Sequence, residues 1–190
     1  LNTYKNDEVV RLKVIVHVGP KGFQKVGHIC FAYDDIVYSY GNYDSDSFHL
    51  NQTIGDGIFF TVPLEKYIPN MISAENNSIF EYGIYTTPKQ NEMIEKEIEK
   101  IRQNGYRWYT KIEKEDGYDR FSAYEMDYPS RLHYRTGAKL YKVKSGKFHI
   151  YWALGDNCAS FTDLVLGTLG ADVLSIRGII SPGTYLDWLQ

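Results

Sequence analysis

Short apolar runs rich in β-branched and aromatic residues recur along the first third of the chain, and polar segments separate them. The first three runs predict β-strands at 9–18, 26–33 and 36–40. Asp34 and Asp35 lie between the second and third runs, and two turn-forming residues in that position predict a tight hairpin. The polar segment 42–57 then predicts a loop, and the apolar run 58–62 predicts a further strand.

Two later segments have the helical period instead. After a strand-like run at 79–85, Thr87 and Pro88 suit the start of a helix that extends to Asn104. Its apolar stripe consists of Met93, Ile94, Ile98 and Ile101. A second helix is predicted from Cys158 onward, with the polar pair Asp156 and Asn157 before it and Gly170 after it.

The remaining segments complete a prediction of one α+β domain over residues 1–190. A helical turn is predicted at 63–67, and strand-like pieces occur at 139–143 and 148–152. The Tyr-rich stretch 106–150 is interpreted as an insertion near the cleft. The predicted core is an antiparallel sheet packed against the helix that begins at Cys158.

Composition and charge narrow the function classes. The 190 residues include 21 basic and 24 acidic residues, a net charge of -3, with no basic stripe for nucleic acid. No apolar run approaches the ~18 residues of a membrane span. Two cysteines are too few for a disulfide scaffold or a thiolate zinc site. The chain begins at Leu1 without the pattern of a signal peptide, so we expect a mature protein or an excised domain.

Cys158 is the candidate nucleophile. It lies in the first turn of a predicted helix, where free amides and the helix dipole favour a thiolate and lower the thiol pKa from ~8.5. The same amides suit an oxyanion formed when the sulfur attacks a carbonyl. The alternative is a small buried core residue, the commonest environment of free cysteine.

His28 is the candidate base. In the predicted hairpin Tyr33 pairs with Ile36, so alternation places His28, Cys30, Val37 and Ser39 on one face. Ser39 then lies diagonal to His28 and is the candidate that orients the imidazole. A nucleophile, a base and an orienting group together are typical of activated-thiol catalysis. The loop residues Asn42 and Asp44 are alternatives for the third position.

These segments resemble a known family. The segment Gly27-His28-Ile29-Cys30-Phe31-Ala32-Tyr33, followed by residues 36–41, resembles the histidine hairpin of the NlpC/P60 branch of papain-like cysteine hydrolases. The segment Asn157-Cys158-Ala159-Ser160-Phe161 is similar to the nucleophile helix of the circularly permuted members, the YiiX-like and lecithin:retinol acyltransferase-like proteins. The order His before Cys is the permuted one. The helix after Pro88 and the segment 181–185 also resemble permuted bacterial members.

The resemblance implies a cysteine hydrolase with Cys158, His28 and Ser39 as catalytic residues and no cofactor. It implies cleavage of an amide bond in bacterial cell-wall peptides by a secreted or cell-envelope enzyme. The substrate is then a peptide, peptidoglycan or an acyl group, and a cognate immunity protein is a possible partner of an effector. The alternatives are a protease or acyl-transferring toxin domain that acts on proteins or lipids, and a binding module without chemistry.

Other residues have simpler interpretations. Cys30 is expected in the core, with a Cys30–Cys158 disulfide as the alternative that would remove the nucleophile. His17, His49, His133 and His149 lack metal-ligand spacing and are expected on the surface or as satisfied core residues. Asp56 and Gly57 lack the full spacing of a calcium loop. An aromatic set is expected in the core or lid, with sugar stacking as the alternative: Tyr106, Trp108, Tyr109, Tyr118, Phe121, Tyr124, Tyr128 and Tyr134.

Overall fold

A computed structural model describes residues 9–18, 27–114 and 126–169, which form an α+β fold. The strands of this part of the chain are β1 (Leu12–Val18), β2 (His28–Tyr33), β3 (Ile36–Gly41), β4 (Ile54–Asp56), β5 (Ile58–Pro63), β6 (Ser78–Ile84), β7 (Gly105–Trp108), β8 (Lys139–Val143) and β9 (Ile150–Trp152). Its α-helices are α1 (Leu64–Ser73), α2 (Pro88–Gln103), α3 (Lys111–Lys114), α4 (Tyr128–Thr136) and α5 (Cys158–Leu166). Short 3-10 turns cover Ser45–Ser47 and Gly167–Leu169.

Seven strands form one antiparallel sheet in the order β6-β1-β2-β3-β5-β8-β7. β4 and β9 pair separately as a two-stranded antiparallel ribbon. The loop that follows this ribbon leads into α5. No helix in the described part of the chain combines the length and apolar character needed to cross a bilayer.

The hairpin between β2 and β3 has the predicted register. Asp34 and Asp35 adopt positive φ angles of 47° and 58°, as a two-residue turn whose twist matches the strands requires. Tyr33 pairs with Ile36, and the ladder ends at Phe31 and Tyr38. β2 nevertheless runs back to His28 and β3 runs on to Gly41. The two strands therefore stop pairing with each other beyond Phe31 and Tyr38, before His28 is reached, and α5 contacts both of them.

Helices cover both faces of the sheet because alternate strand residues are apolar on each side. On one face α2 and α5 pack over a buried cluster that includes Phe31, Phe59 and Phe161. On the other face α1 lies beside a cluster that includes Cys30, Phe60 and Leu140, to which α4 contributes a leucine. Burial of each such large side chain stabilises the fold by about 1.5–3 kcal/mol.

Most predicted elements are confirmed, and the differences are local. The helical turn predicted at 63–67 is the start of the longer α1. Met93 is 39% exposed, so its place in the apolar stripe of α2 was wrong. The loop predicted at 42–57 contains a 3-10 turn and β4. Gly170 and residues 181–185 lie outside the described residues.

The Tyr-rich stretch 106–150 is integrated into the main sheet. It supplies nearly all of β7, which the sequence pattern did not predict, and all of β8, which it did. It also supplies α4, which packs against α1 on one face of the sheet.

Candidate active site

The start of α5 is held by a complete capping box. The Asn157 Oδ1 atom accepts hydrogen bonds from the amides of Ala159 and Ser160 at 3.0 and 3.1 Å. The Asn157 amide in turn donates to the Ser160 Oγ atom at 2.9 Å. This reciprocal arrangement satisfies the amides of Asn157, Ala159 and Ser160 and fixes Cys158 as the first helical residue.

Burial and hydrogen bonding shift the pKa of the Cys158 thiol in opposite directions. Cys158 is only 6% exposed, and burial raises its pKa to about 11. Three backbone amides hydrogen-bond the sulfur and lower its pKa, those of Ile29, Ala159 and Cys158 itself. Burial is the larger effect, so the expectation that the helix start gives this thiol a lowered pKa was wrong. The isolated thiol is protonated at neutral pH.

His28 has the predicted polar neighbour. A hydrogen bond of 2.7 Å joins its Nε2 atom to the Oγ atom of Ser39, which is fully buried. The Ser39 hydroxyl also hydrogen-bonds the hydroxyl of Tyr43 at 3.2 Å. The predicted contact between Ser39 and His28 is therefore confirmed, while a catalytic role for either residue stays a prediction.

The two alternative orienting residues have other partners. The Asn42 side chain donates to the carbonyl of Gln52 at 2.6 Å. The Asp44 carboxylate pairs with Lys142 at 2.7 Å. Lys142 also pairs with Asp56, at 2.6 Å, so one lysine is paired with both Asp44 and Asp56.

Burial lowers the pKa of His28 to about 4. The imidazole is consequently neutral at physiological pH and has a nitrogen able to accept a proton. Since Nε2 is bound to Ser39, the nitrogen left for that purpose is Nδ1. The resting pair is thus a neutral thiol and a neutral imidazole.

Cys158 and His28 approach the same stretch of β2 from different sides. Cys158 packs in the cluster beneath α2 and α5, whereas His28 shares the opposite face with Cys30. The amide that donates to the Cys158 sulfur belongs to Ile29, the residue next to His28. Within the described residues, no hydrogen bond joins the thiol directly to the imidazole. Both cysteines are free, so the alternative of a Cys30–Cys158 disulfide is wrong.

A polar cavity of about 280 Å³ lies beside His28. Among the described residues its wall contains His28 but not Cys158, so a molecule bound there contacts the base rather than the sulfur. Glu75 in the wall pairs with Arg131 at 3.0 Å and with Arg135 at 3.1 Å. The lining consists of His17, Gly27, His28, Tyr43, Met71, Glu75, Asn77, Tyr128 and Arg131.

The position of His17 in this wall was not predicted from the sequence. His17 is the residue of β1 directly opposite His28, and the two ring centroids are 5.6 Å apart. It is 2% exposed, and its Nε2 atom lies 3.2 Å from the Tyr67 hydroxyl and 3.7 Å from the Cys30 sulfur. Its Nδ1 atom has no hydrogen-bond partner among the described residues, so the expectation of a satisfied core histidine was wrong. Pairing β1 with β2 in antiparallel register would have revealed the histidine pair.

The other singled-out residues lie away from this site or line its wall. Cys30 is fully buried, and burial raises its pKa well above the ordinary value, as expected of a core thiol. His133 and His149 each hydrogen-bond a backbone carbonyl through Nδ1, at 2.8 Å, and His49 is exposed. In the aromatic set, Tyr128 lines the cavity, whereas Tyr106, Tyr109 and Tyr134 are exposed. Tyr118, Phe121 and Tyr124 lie outside the described residues.

Searches with family models, curated proteins and solved structures find no match to the chain.

Proposed function

We propose that the chain is a cysteine hydrolase in which Cys158 attacks an amide or ester carbonyl and His28 transfers the proton. The observation that carries this proposal is the 2.7 Å hydrogen bond between His28 Nε2 and Ser39. It fixes the ring through one nitrogen and leaves the other for the thiol, which is the division of labour that a thiol–imidazole pair requires.

The neutral resting pair is compatible with this chemistry. The proton of the Cys158 thiol passes to His28 Nδ1 as the sulfur attacks the carbonyl carbon, and it then passes to the leaving group. Thiol–imidazole contacts are often longer in the free enzyme than in the substrate complex. The Ser39 and Tyr43 hydroxyls lie on the far side of the ring from this transfer and stabilise the imidazolium that forms.

The oxyanion donor is the backbone amide of Cys158. The amides of Ala159 and Ser160 already donate to the Asn157 side chain. The amide of Cys158 itself has no contact with the cap and hydrogen-bonds the sulfur in the resting state, so it is the donor at the helix start that can turn to an oxyanion as the sulfur attacks, where the helix dipole adds to its effect.

The proposal can be extended to a family and a substrate class. The histidine-bearing hairpin, the antiparallel sheet and the helix beginning at Cys158 support a permuted papain-like fold of the NlpC/P60 branch. In that case the substrate is an amide bond in cell-wall peptides, with proteins or lipids as the substrates of a toxin-type alternative. A secreted or cell-envelope location belongs to this proposal.

A non-catalytic binding module is the second candidate. It is favoured by the raised pKa of Cys158 and by the missing direct hydrogen bond to His28. In this case the cavity beside His28 binds a ligand without converting it.

Incubation with purified peptidoglycan and with the activated ester p-nitrophenyl acetate separates these functions. We expect release of free amines from peptidoglycan, lost in Cys158→Ala and His28→Ala. Cys30→Ala is the matched control, because it removes the other buried thiol and should keep the activity. Ester cleavage at Cys158 without release of amines from peptidoglycan would indicate that the substrate is a protein or a lipid. Failure of Cys158 to react with either substrate in the unaltered protein would exclude the hydrolase.

A further inference from the structure

A second cavity, of about 260 Å³, lies on the face of the sheet that α2 and α5 cover. Most of its wall comes from α2, α5 and the turn between β8 and β9. Cys158 is not part of this wall, so a molecule bound in the cavity is separate from the proposed hydrolysis. The apolar side chains of the wall are Phe59, Ile101, Val143, Phe148, Phe161 and Leu164.

This apolar part of the wall favours a hydrocarbon chain. All of its side chains except Leu164 belong to the buried cluster beneath α2 and α5, so the cavity extends into the core. Apolar cavities hold water poorly and bind apolar molecules instead. If each carbon takes ~30 Å³, the volume of one water molecule in the liquid, the cavity accommodates a chain of roughly eight carbons.

The rim of the cavity has a net positive charge. Its two lysines, Lys100 and Lys147, are both exposed. Lys100 is paired with Glu97 at 2.5 Å, so these two charges balance each other. Lys147 forms no ion pair within the part of the chain that the structure describes, and its Nζ atom lies 4.9 Å from the centre of the Phe148 ring. An anionic group at the rim would therefore meet an ammonium group that has no other anionic partner.

Backbone amides at the same rim are also available to an anion. Ser145, Gly146 and Lys147 all line the cavity, and Gly146 adopts a φ of 75°. The amides of these three residues donate to no acceptor among residues 9–18, 27–114 and 126–169. Successive backbone amides in a turn with a left-handed residue commonly bind anions. The chemistry of the rim thus differs from that of the apolar interior.

We propose that this cavity binds a medium-chain monocarboxylate, with the hydrocarbon chain among the apolar side chains and the carboxylate at the turn that contains Lys147. A neutral head group would gain little from the lysine, and an ammonium head group would be repelled by it. Binding includes no covalent step. The inference goes beyond the proposed function and does not depend on it.

A ligand in this position should also stabilise the fold. It contacts α2, α5 and the turn between β8 and β9 at the same time, and these elements separate when the chain unfolds. A molecule that binds only the folded state raises the free energy of unfolding with its concentration. We therefore expect octanoate to raise the urea midpoint of the unaltered protein.

Amide NMR spectra of the isotopically labelled full chain locate and measure the binding. The ligands are octanoate, octanol and octylammonium, which share a chain length and differ in the charge of the head group. Octanoate should shift the amide signals of Ser145, Gly146 and Lys147 saturably. It should bind roughly tenfold or more tightly than octanol, because a hydrogen bond to a charged group is stronger than one to a neutral group. Octylammonium should bind more weakly than octanol.

Two substitutions of Lys147 test the head-group site. Lys147→Gln should reduce octanoate binding to the level of octanol and leave octanol binding unchanged, whereas Lys147→Arg should keep octanoate binding. Lys144→Gln is the matched control, because it removes the same charge from a nearby exposed side chain that donates to the Gln103 carbonyl and does not line the cavity.

A further pair of substitutions tests the chain site. Leu164→Trp should fill the cavity and exclude both octanoate and octanol. Ile68→Trp adds a large side chain at a groove beside the start of α1 and should leave both affinities unchanged. Amide spectra without ligand show whether each variant is folded, and the lysine variants test the site even if Leu164→Trp is not.

Equal affinities of the unaltered protein for octanoate and octanol would overturn the inference. Equal losses in Lys147→Gln and Lys144→Gln would do the same, as would unchanged binding in a folded Leu164→Trp variant. Shifts confined to amides away from the cavity would indicate adventitious binding and also overturn it. Acetylation of Cys158 by p-nitrophenyl acetate tests the proposed function separately, so the two failures are distinguishable.

Discussion

Ser39 is the residue on which the orientation of His28 depends. Its hydroxyl is fully buried and lies between the imidazole and the Tyr43 hydroxyl. Serine is a small and neutral group for this position, so its effect comes from geometry rather than from charge. Tyr43 holds the serine hydroxyl in place and compensates in part for its weak polarity.

Ser39→Ala should lower kcat on p-nitrophenyl acetate by roughly ten- to a hundredfold, because the imidazole loses its only fixed hydrogen bond within the described residues. Steady-state kinetics measure this loss. Tyr43→Phe is the graded comparison, since it keeps Ser39 and removes only the second hydroxyl. A larger loss of kcat in Tyr43→Phe than in Ser39→Ala would contradict the assignment of Ser39 as the direct partner of His28 and of Tyr43 as the support of Ser39.

The thiol of Cys158 should show two different pH dependences. Burial raises its pKa to about 11, so the thiolate fraction is small below that pH and rises as the pH approaches it. Iodoacetamide labelling of the native protein should therefore be slow at neutral pH and still increase above about pH 9. The urea-denatured protein should label with a midpoint near the ordinary value of about 8.5. A native midpoint below the denatured one would show that the amides outweigh burial.

The pH dependence of substrate turnover should differ from that of iodoacetamide labelling. His28 is neutral above its pKa of about 4. In the proposed mechanism it accepts the thiol proton within the substrate complex. Activity is then expected already at neutral pH, where labelling is slow. The two profiles together test whether the imidazole, rather than a free thiolate, activates the sulfur.

At the scale of elements, the capping box of α5 connects stability with chemistry. Asn157→Ala removes the acceptor of two amides and should lower the free energy of unfolding by about 1 kcal/mol. Thr87→Ala removes the similar capping box of α2, far along the chain from Cys158, and is the matched control. Urea unfolding should show similar losses in both variants, while acetylation of Cys158 should fall only in Asn157→Ala. Equal rates of Cys158 acetylation in the two variants would show that the α5 cap contributes to stability and not to the reactivity of Cys158.

The elements with a strong local signal were predictable from the sequence. The hairpin followed from the Asp34–Asp35 pair between two apolar runs, and α5 followed from its cap. β7 was missed because Gly105–Trp108 is only four residues long, and its pairing with β8 joins residues distant in the chain. β4 was missed for the same reason, since it is defined by its partner β9.

The candidate site was predictable only in part. Alternation along one hairpin was enough to place Ser39 on His28. It did not give the contact between Cys158 and the Ile29 amide, which depends on how α5 packs against the sheet. The direction of the thiol pKa was wrong for the same reason, because burial is a property of the packed molecule.

At the scale of the whole molecule, Cys158 and His28 have different surroundings, although Cys158 still interacts electrostatically with Cys30 and Tyr43 beside His28. The rings of Tyr40, Phe59 and Phe148 lie around Phe161, one helical turn after Cys158, with the Tyr40 centroid at 5.0 Å. This aromatic cluster belongs to the same buried core as Cys158. The opposite face, beneath α1 and α4, contains the polar cavity beside His28. Cys158 therefore lies in an apolar environment and His28 beside a cavity lined by polar side chains.

Phe161→Ala should therefore do more than destabilise the fold. Loss of a buried phenylalanine costs about 3–5 kcal/mol, and the space left near α5 should admit water to Cys158. Leu140→Ala on the opposite face is the control, with a comparable loss of about 2–5 kcal/mol and no contact with the aromatic cluster. We expect urea unfolding to show both losses, and iodoacetamide labelling of native Cys158 to shift to lower pH in Phe161→Ala alone. A similar shift in both variants would mean that the thiol responds to global opening, and the aromatic cluster would then have no specific part in setting its pKa.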